Sequence, residues 1–322
     1  TIISLLSFII FLFTSKIFTS SVFKIILDSD FNKPQAFHTS HIPRVGGLAS
    51  IICLTIFFLT FNYFFNLNIN HYIFFSLSLF VLGFVDDMKI NFKPSIRLFL
   101  MILILLIGVN IFEIQITKTG FYFLNSWLEN NLFQYFFLIL CFLFIINGSN
   151  LIDGFNGLLI IHLIIVNLVL LYIHLSNDNL NFTSFLSGQI FIMFCFLLFN
   201  FPTAKIFMGD GGTYLFGSIT SLNIINTSIL YPEISPLYFT TLLFYLFFEV
   251  FFSFIRKLKL KKSPLNPDSS HLHMLLFEYL DKIKKIRNSN SKTSILINLV
   301  FLILIIPSTF MRGDGEFCRY WF

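Results

Sequence analysis

The sequence predicts an all-α integral membrane protein, one polytopic domain over residues 1–322 with about ten transmembrane helices. Three observations carry this. Of 322 residues, 56% are hydrophobic and 11% charged, and the mean hydropathy is +0.84, which leaves too little polar surface to cover a soluble globule of this size. Apolar windows of roughly 15 to 20 residues recur along the whole chain, about what crosses a hydrocarbon core ~30 Å thick with every backbone group bonded inside a helix. Basic residues gather in alternate loops.

In chain order the expected spans are Ile2 to Ile26, Val45 to Phe65, Tyr72 to Val85, Ile96 to Phe112, Leu132 to Ile146, Leu158 to His174, Phe182 to Phe199, Gly212 to Leu230, Leu237 to Ile255 and Ser294 to Phe310. Lys16 and Lys24 interrupt the first, so its membrane part is read as Thr1 to Phe13, with upstream residues expected to complete the crossing. No cleavable signal pattern is present. Residues 311–322 show no periodicity and stay unassigned, and the RGD triplet within them is read as chance. Cys53, Cys141, Cys195 and Cys318 are scattered without the paired spacing of zinc or redox sites and read as packing residues.

Lys and Arg collect on the cytoplasmic side of membrane proteins. Placing the loop after the first span there brings along Lys89 to Arg97, the turn Asn147 to Gly157, the segment around Lys205, and Arg256 to Lys292. Of 21 basic residues, Lys118, Arg312 and Arg319 fall opposite and Lys16 is ambiguous. The net charge of +5 is thus topology and headgroup contact, and no nucleic acid partner is needed to explain it.

Charged groups beside hydrocarbon are expensive and mark function. Here they all fall on the cytoplasmic face: HTSHIPRVGG (38–47), GFVDDMKINFKPSIR (83–97), NGSNLIDGFNGL (147–158), FPTAKIFMGDGG (201–212) and SPLNPDSSHLH (263–273). The opposite loops read as ordinary solvated turns. Asp86 with Asp87, then Asp153, then Asp210 stand at span ends beside glycines. One such acid alone is best read as a helix cap or solvated turn residue. Four on one face imply a cation, and a hard divalent ion held by one or two carboxylates and substrate phosphates is the magnesium pattern. GDGG opening an apolar helix offers backbone N–H groups and a helix dipole to an anion such as a diphosphate, a weak signal alone. Lys89, Lys93 and Arg97 follow the acid pair, and His271 with His273 stand near Lys261 and Lys262. Two histidines with no Cys or third His nearby suit phosphate contacts better than zinc.

IPRVGG, the DD pair of GFVDDMK, NLIDGFNGL, AKIFMGDGG and PLNPD followed by HLH, in this order, resemble the polyprenyl-phosphate N-acetylhexosamine-1-phosphate transferases, of the glycosyltransferase family 4 type, over most of the chain. The resemblance implies ten or eleven spans, a magnesium site at the cytoplasmic surface, and transfer of a sugar-1-phosphate from a UDP-sugar to undecaprenyl phosphate with release of UMP. It implies Asp210 as metal ligand with Asn150 beside it, and Asp86 as the residue that positions or deprotonates the lipid phosphate. Asp87 would support the metal or an orienting basic residue, and the ladder Asn147, Asn150, Asp153 would point from one helix stripe into the active site. Asn156 would meet the nucleoside. Arg97, Lys93, His271 and His273 would balance diphosphate charge, with Arg44 nearby in support.

IPRVGG looks like the members that start O-antigen, capsule or teichoic-acid-type glycans and unlike the peptidoglycan-precursor translocases. The implied donor is UDP-N-acetylglucosamine or a related N-acetylhexosamine, the implied location a bacterial inner membrane, and a homodimer is left open. The chain departs from the family at His41, Asn156, Thr213, Ser269 and Met274, where proline, Asp, Ser, a basic residue and a third His are common. Glu249 resembles a family acid, and equally reads as a helical partner of Arg256. A second function class, a secondary transporter of an anionic or phosphorylated solute, would place its ionisable residues near the bilayer midplane in two related halves. The acids lie at one surface and the halves do not match, which favours the enzyme.

Overall fold

The computed structural model describes residues 2–18, 27–28, 41–65, 67–90, 92–261, 263, 270–283 and 288–322. The predicted end of the first span at Ile26, with Lys24, lies outside them, as do His38, the PLNPD segment and Ser269.

The apolar runs fold as helices: α1 (Ile2–Phe18), α2 (Gly46–Phe65), α3 (Asn70–Asp87), α4 (Pro94–Ile111), short α5 (Tyr122–Trp127), α6 (Asn131–Ile152), α7 (Leu158–Ser176), α8 (Leu180–Asn200), α9 (Gly209–Leu230), α10 (Pro236–Leu242), α11 (Phe244–Lys259), α12 (Leu272–Lys282), α13 (Ser289–Phe310) and α14 (Gly315–Trp321). Two-residue strands β1 (Leu27–Asp28) and β2 (Ile42–Pro43) pair antiparallel, an addition to the all-α expectation. Local chemistry sets several ends. Asn130 and Asn179 accept the first backbone N–H groups of α6 and α8, and prolines open α4 and α10, where no N–H is needed. The tail 311–322, unassigned from sequence, contains α14, capped by Asp314.

The chain is a helical, multi-pass membrane protein. Six helices are long and apolar enough to cross a membrane, or seven when α10 and α11, bent 74° to each other, count as one broken span. Each of the ten predicted runs is helical over most of its described residues, the ninth broken at Leu243, yet α3 and α9 are too polar to qualify and α1, at 17 residues, is too short. The reason for α9 is its position. It is buried along nearly its whole length, packed by α3, α6, α2 and α7, so protein rather than lipid surrounds it. Its polar residues meet others inside the bundle: Asn223 Oδ1 accepts from Tyr72, and Asn223 Nδ2 donates to Asn167 and Gln189, both at 2.7 Å. By contrast Leu59, Phe99, Leu198 and Phe310 project outward, as lipid-facing residues do.

Close backbone approach fixes the register of the centre. A Cβ on Gly83 of α3 would lie 2.4 Å from the Asp210 carbonyl oxygen, so only glycine lets α3 and the start of α9 meet there. The IPRVGG segment docks on the same place: Phe207 N–H donates to Pro43 O, and Gly46 and Gly47 N–H to Phe207 and Met208 O, all within 2.9 Å. The other end of the bundle is joined separately, through Ser235 N–H to Arg312 O and the Lys118 ammonium to Pro232 O.

Candidate active site

Asp87, the last residue of α3, is buried and caps α9: Oδ1 accepts Asp210 N–H and Oδ2 accepts Gly211 N–H, each at 2.9 Å. This places a carboxylate at the positive end of a helix dipole, where it binds the otherwise unmatched first N–H groups. Gly209 before it has φ +76°, and a Cβ there would strike the Asp87 carboxylate. The DD and GDGG motifs therefore build one object, whose exposed product is the Asp210 side chain.

Around Asp210 the polar residues converge. Arg97, on the first turn of α4, donates through one Nη1 to Asp86 Oδ2 at 2.7 Å and Asp210 Oδ2 at 2.9 Å. Asn150, near the end of α6, donates to Asp210 Oδ1 at 3.1 Å and Thr213 Oγ1 at 3.2 Å. Arg44 binds Asp28 at 2.8 Å and reaches Asp87 at 3.8 Å. The β1–β2 pairing carries Asp28 and the residue before Arg44, so it brings this ion pair to the rim.

These groups line a cavity of about 680 Å³. Its polar wall includes Arg44, Asp86, Arg97, Asn147, Asn150, Asp153, Asn156, Asp210 and His271. Its apolar lining includes Leu98 and Met101 of α4, Leu140, Leu143 and Phe144 of α6, and Val250 and Phe254 of α11. Nine of the twelve residues singled out in the sequence thus share one cavity. Asp87 sits behind it as the α9 cap, His273 is buried behind His271, and Lys93 is exposed before α4, apart from the lining.

The ladder bends with the chain. Asn147 and Asn150 lie on α6, Asp153 is its C-cap, and Asn156 lies in the turn closed by Gly157 at φ +78°. Asn147 donates to Leu143 O, and Asn156 to Pro202 O. Asp153 has no hydrogen-bond or ion-pair partner among the described residues; burial, then the Asp210 charge, hold its carboxyl up at about 7.

Glu249 does not pair with Arg256 as its helical spacing suggested. It accepts from His271 Nδ1 at 2.8 Å and Leu272 N–H at 3.1 Å. Burial lowers the pKa of His273 behind it. Lys257, Ser253 and Tyr214 also line the cavity and were not assigned roles from sequence. A signal existed for two of them: Tyr245, Glu249, Ser253 and Lys257 recur every fourth residue as the buried stripe of α11, opposite exposed Phe251, Phe252 and Leu258.

Whether this site suits a divalent cation is a question of donors. Among the described residues no three His, Cys, Asp or Glu are grouped to hold a metal. Asp210 and the partnerless Asp153 nevertheless supply hard oxygens to one cavity, with Asn150 fixing Asp210. That set fits an ion that completes its shell with water and phosphate oxygens, as magnesium does.

A polar, acid-lined cavity within a bundle of apolar helices places the chain in the class of integral membrane enzymes. Residues 69–228 match the model of glycosyl transferase family 4, and the chain belongs to that family. It is 29% identical to the undecaprenyl-phosphate alpha-N-acetylglucosaminyl 1-phosphate transferase of Thermotoga maritima, over 77% of this chain and 72% of the relative. It is 27% identical to a probable undecaprenyl-phosphate N-acetylglucosaminyl 1-phosphate transferase of Bacillus subtilis, over 85% and 77%. A phospho-N-acetylmuramoyl-pentapeptide-transferase of Bartonella quintana is 29% identical over 60% and 62%. These relatives are phospho-sugar transferases, which supports an enzyme here.

Proposed function

We propose that the chain transfers an N-acetylhexosamine-1-phosphate, N-acetylglucosamine-1-phosphate in the first instance, from its UDP-sugar to undecaprenyl phosphate, releasing UMP and starting a lipid-linked surface glycan. The observation that carries this reading is one cavity lined both by carboxylates, arginines and amides and by apolar residues of α4, α6 and α11. The relatives' names supply the substrate class.

In this reading the site faces the cytoplasm of a bacterial inner membrane crossed about ten times, with α1, α3, α9 and the broken α10–α11 pair completing the spans. The lipid phosphate lies against the α6–α11 wall and attacks the β-phosphorus of the donor in line, in a single displacement. Asp86, held by Arg97, positions the attacking phosphate. Asn150 keeps Asp210 turned into the cavity, and Arg44 and Arg97 take up charge as UMP leaves. Asn156 and Asn147 contact the nucleotide, and Lys93 meets phosphate only at the rim. Magnesium, when bound by Asp210 with Asp153, would neutralise the diphosphate and stabilise the leaving group.

The test is UMP release by purified protein in detergent with undecaprenyl phosphate, magnesium and a panel of UDP-N-acetylhexosamines. Lipid-dependent UMP from one donor, lost in Asp210→Asn, is expected. No UMP from any donor with folded protein overturns the reading.

A further inference from the structure

Glu249 belongs to α11, beyond the bend at Leu243, and is 2% exposed; His271 and His273, at the start of α12, are 1% and 0% exposed. The two imidazoles lie nearly parallel, 11° apart, with centroids 5.4 Å from each other. His271 Nδ1 is 2.8 Å from Glu249 Oε2, and His273 Nδ1 is 3.4 Å from Glu249 Oε1 and 3.2 Å from the Tyr245 hydroxyl. An ionised carboxylate only accepts, so the hydrogen at each contact belongs to Nδ1. This leaves Nε2 of each ring, and both Nε2 atoms are buried without a hydrogen-bond partner among the described residues. His271 stands on the cavity wall, while His273 Nε2 backs the turn that carries Asp153: a Cβ on Gly154 would lie 3.6 Å from it.

We propose that Glu249, assisted by Tyr245, is a positioning residue that fixes the tautomer and orientation of the His271–His273 pair, so that Nε2 of His271 is the nitrogen presented to the nucleotide side of the site while Nε2 of His273 backs the turn that carries Asp153. A carboxylate on the far nitrogen of a working imidazole orients the ring and raises its basicity. Here one carboxylate serves two rings, and it arrives on the same helix stripe that brings Ser253 and Lys257 to the cavity. The bent helix thereby sets the histidines from behind. The proposal rests on the transferase reading for the identity of the ligand, though not for the tautomer.

The experiment is 15N NMR of the full chain labelled at histidine, in detergent micelles and without substrate, with His271→Asn and His273→Asn assigning the two signals. Wild type is expected to show Nδ1 protonated in both rings. Glu249→Leu is expected to lose that protonation in both, Tyr245→Phe to perturb His273 alone, and UDP affinity to fall about 10-fold in Glu249→Leu. Glu249→Gln offers one acceptor oxygen in place of two, so it is expected to lose Nδ1 protonation at one ring, and it serves if the leucine variant does not fold. Bare Nδ1 in wild type, or signals unchanged in the Glu249 variants, overturns the proposal. So does UDP affinity within about twofold of wild type in folded Glu249→Leu, where an orienting carboxylate should matter 10-fold or more. Wild type that shows the tautomer shift yet binds no UDP counts against the transferase reading and leaves the tautomer assignment standing.

Discussion

The carboxylate of Asp87 holds the backbone of Asp210: its Oδ1 accepts the Asp210 N–H at 2.9 Å while its Oδ2 accepts that of Gly211. Asp87 and Asp210 therefore fail differently when changed. Asp87→Asn turns an amide N–H toward one of two backbone N–H groups and leaves it unmatched in a buried place, which costs roughly 1–3 kcal/mol. A lower melting temperature in detergent, together with lost activity, is expected. Asp210→Asn keeps the cap intact, so activity should fall with the melting temperature near wild type, measured on the same preparations.

Gly83→Ala addresses the same junction from α3. The added methyl would meet the Asp210 carbonyl at 2.4 Å, a backbone atom that cannot swing aside. Since overpacking a tight site costs typically 1–3 kcal/mol, the variant should melt lower and also displace Asp210. A drop in both melting temperature and UMP release is expected, whereas Gly313→Ala, with nothing nearer than 3.7 Å, should change neither.

How much of this was readable beforehand follows from what sequence encodes locally. Each apolar run became helical over most of its described residues, because hydrophobic length and backbone satisfaction act within one segment. Asp86, Asp153, Asp210, Arg97 and Arg44 met in one cavity because loop motifs at span ends were forced to one end of the bundle. What sequence did not show was which acid faces inward: Asp86 and Asp87 are neighbours, yet one lines the cavity and the other caps α9, a distinction set by where α9 begins. The polarity of α9 hid its central place, since a helix wrapped by others needs no apolar face for lipid. For Glu249 helical spacing offered Arg256 as a partner beside its resemblance to a family acid, and it is His271, 22 positions away, that it meets.

Arg97 joins Asp86 to Asp210 through a single Nη1, at 2.7 and 2.9 Å. A lysine offers a point charge on a flexible stem and loses the rigid, planar guanidinium that holds this one nitrogen between both carboxylates. Arg97→Lys should retain part of the activity, and Arg97→Ala should lower kcat about 100-fold or more, the range seen when one group stabilising the transition-state charge is removed. Adding Asp86→Asn to Arg97→Ala should cost less than the product of the single effects, because the two residues act as a unit. Single-turnover rates on the four proteins measure this.

Asp153 gives a pH dependence whose sign is fixed. Its carboxyl titrates near 7 in the fold, by burial and then the charge of Asp210, against ~3.9 in an unfolded chain. Between these values the folded protein keeps a proton that the unfolded chain has released, so raising pH favours unfolding. Without divalent metal, melting temperature should therefore fall as pH climbs from about 4 to about 7 and this contribution should level off above. Asp153→Asn removes the ionisation and should flatten that part of the profile. Magnesium should flatten it in wild type as well, since a cation beside Asp153 and Asp210 favours the ionised form that burial opposes. Melting curves at a series of pH values, with chelator or with magnesium, read all three; a wild-type slope that survives magnesium would remove Asp153 from the cation site.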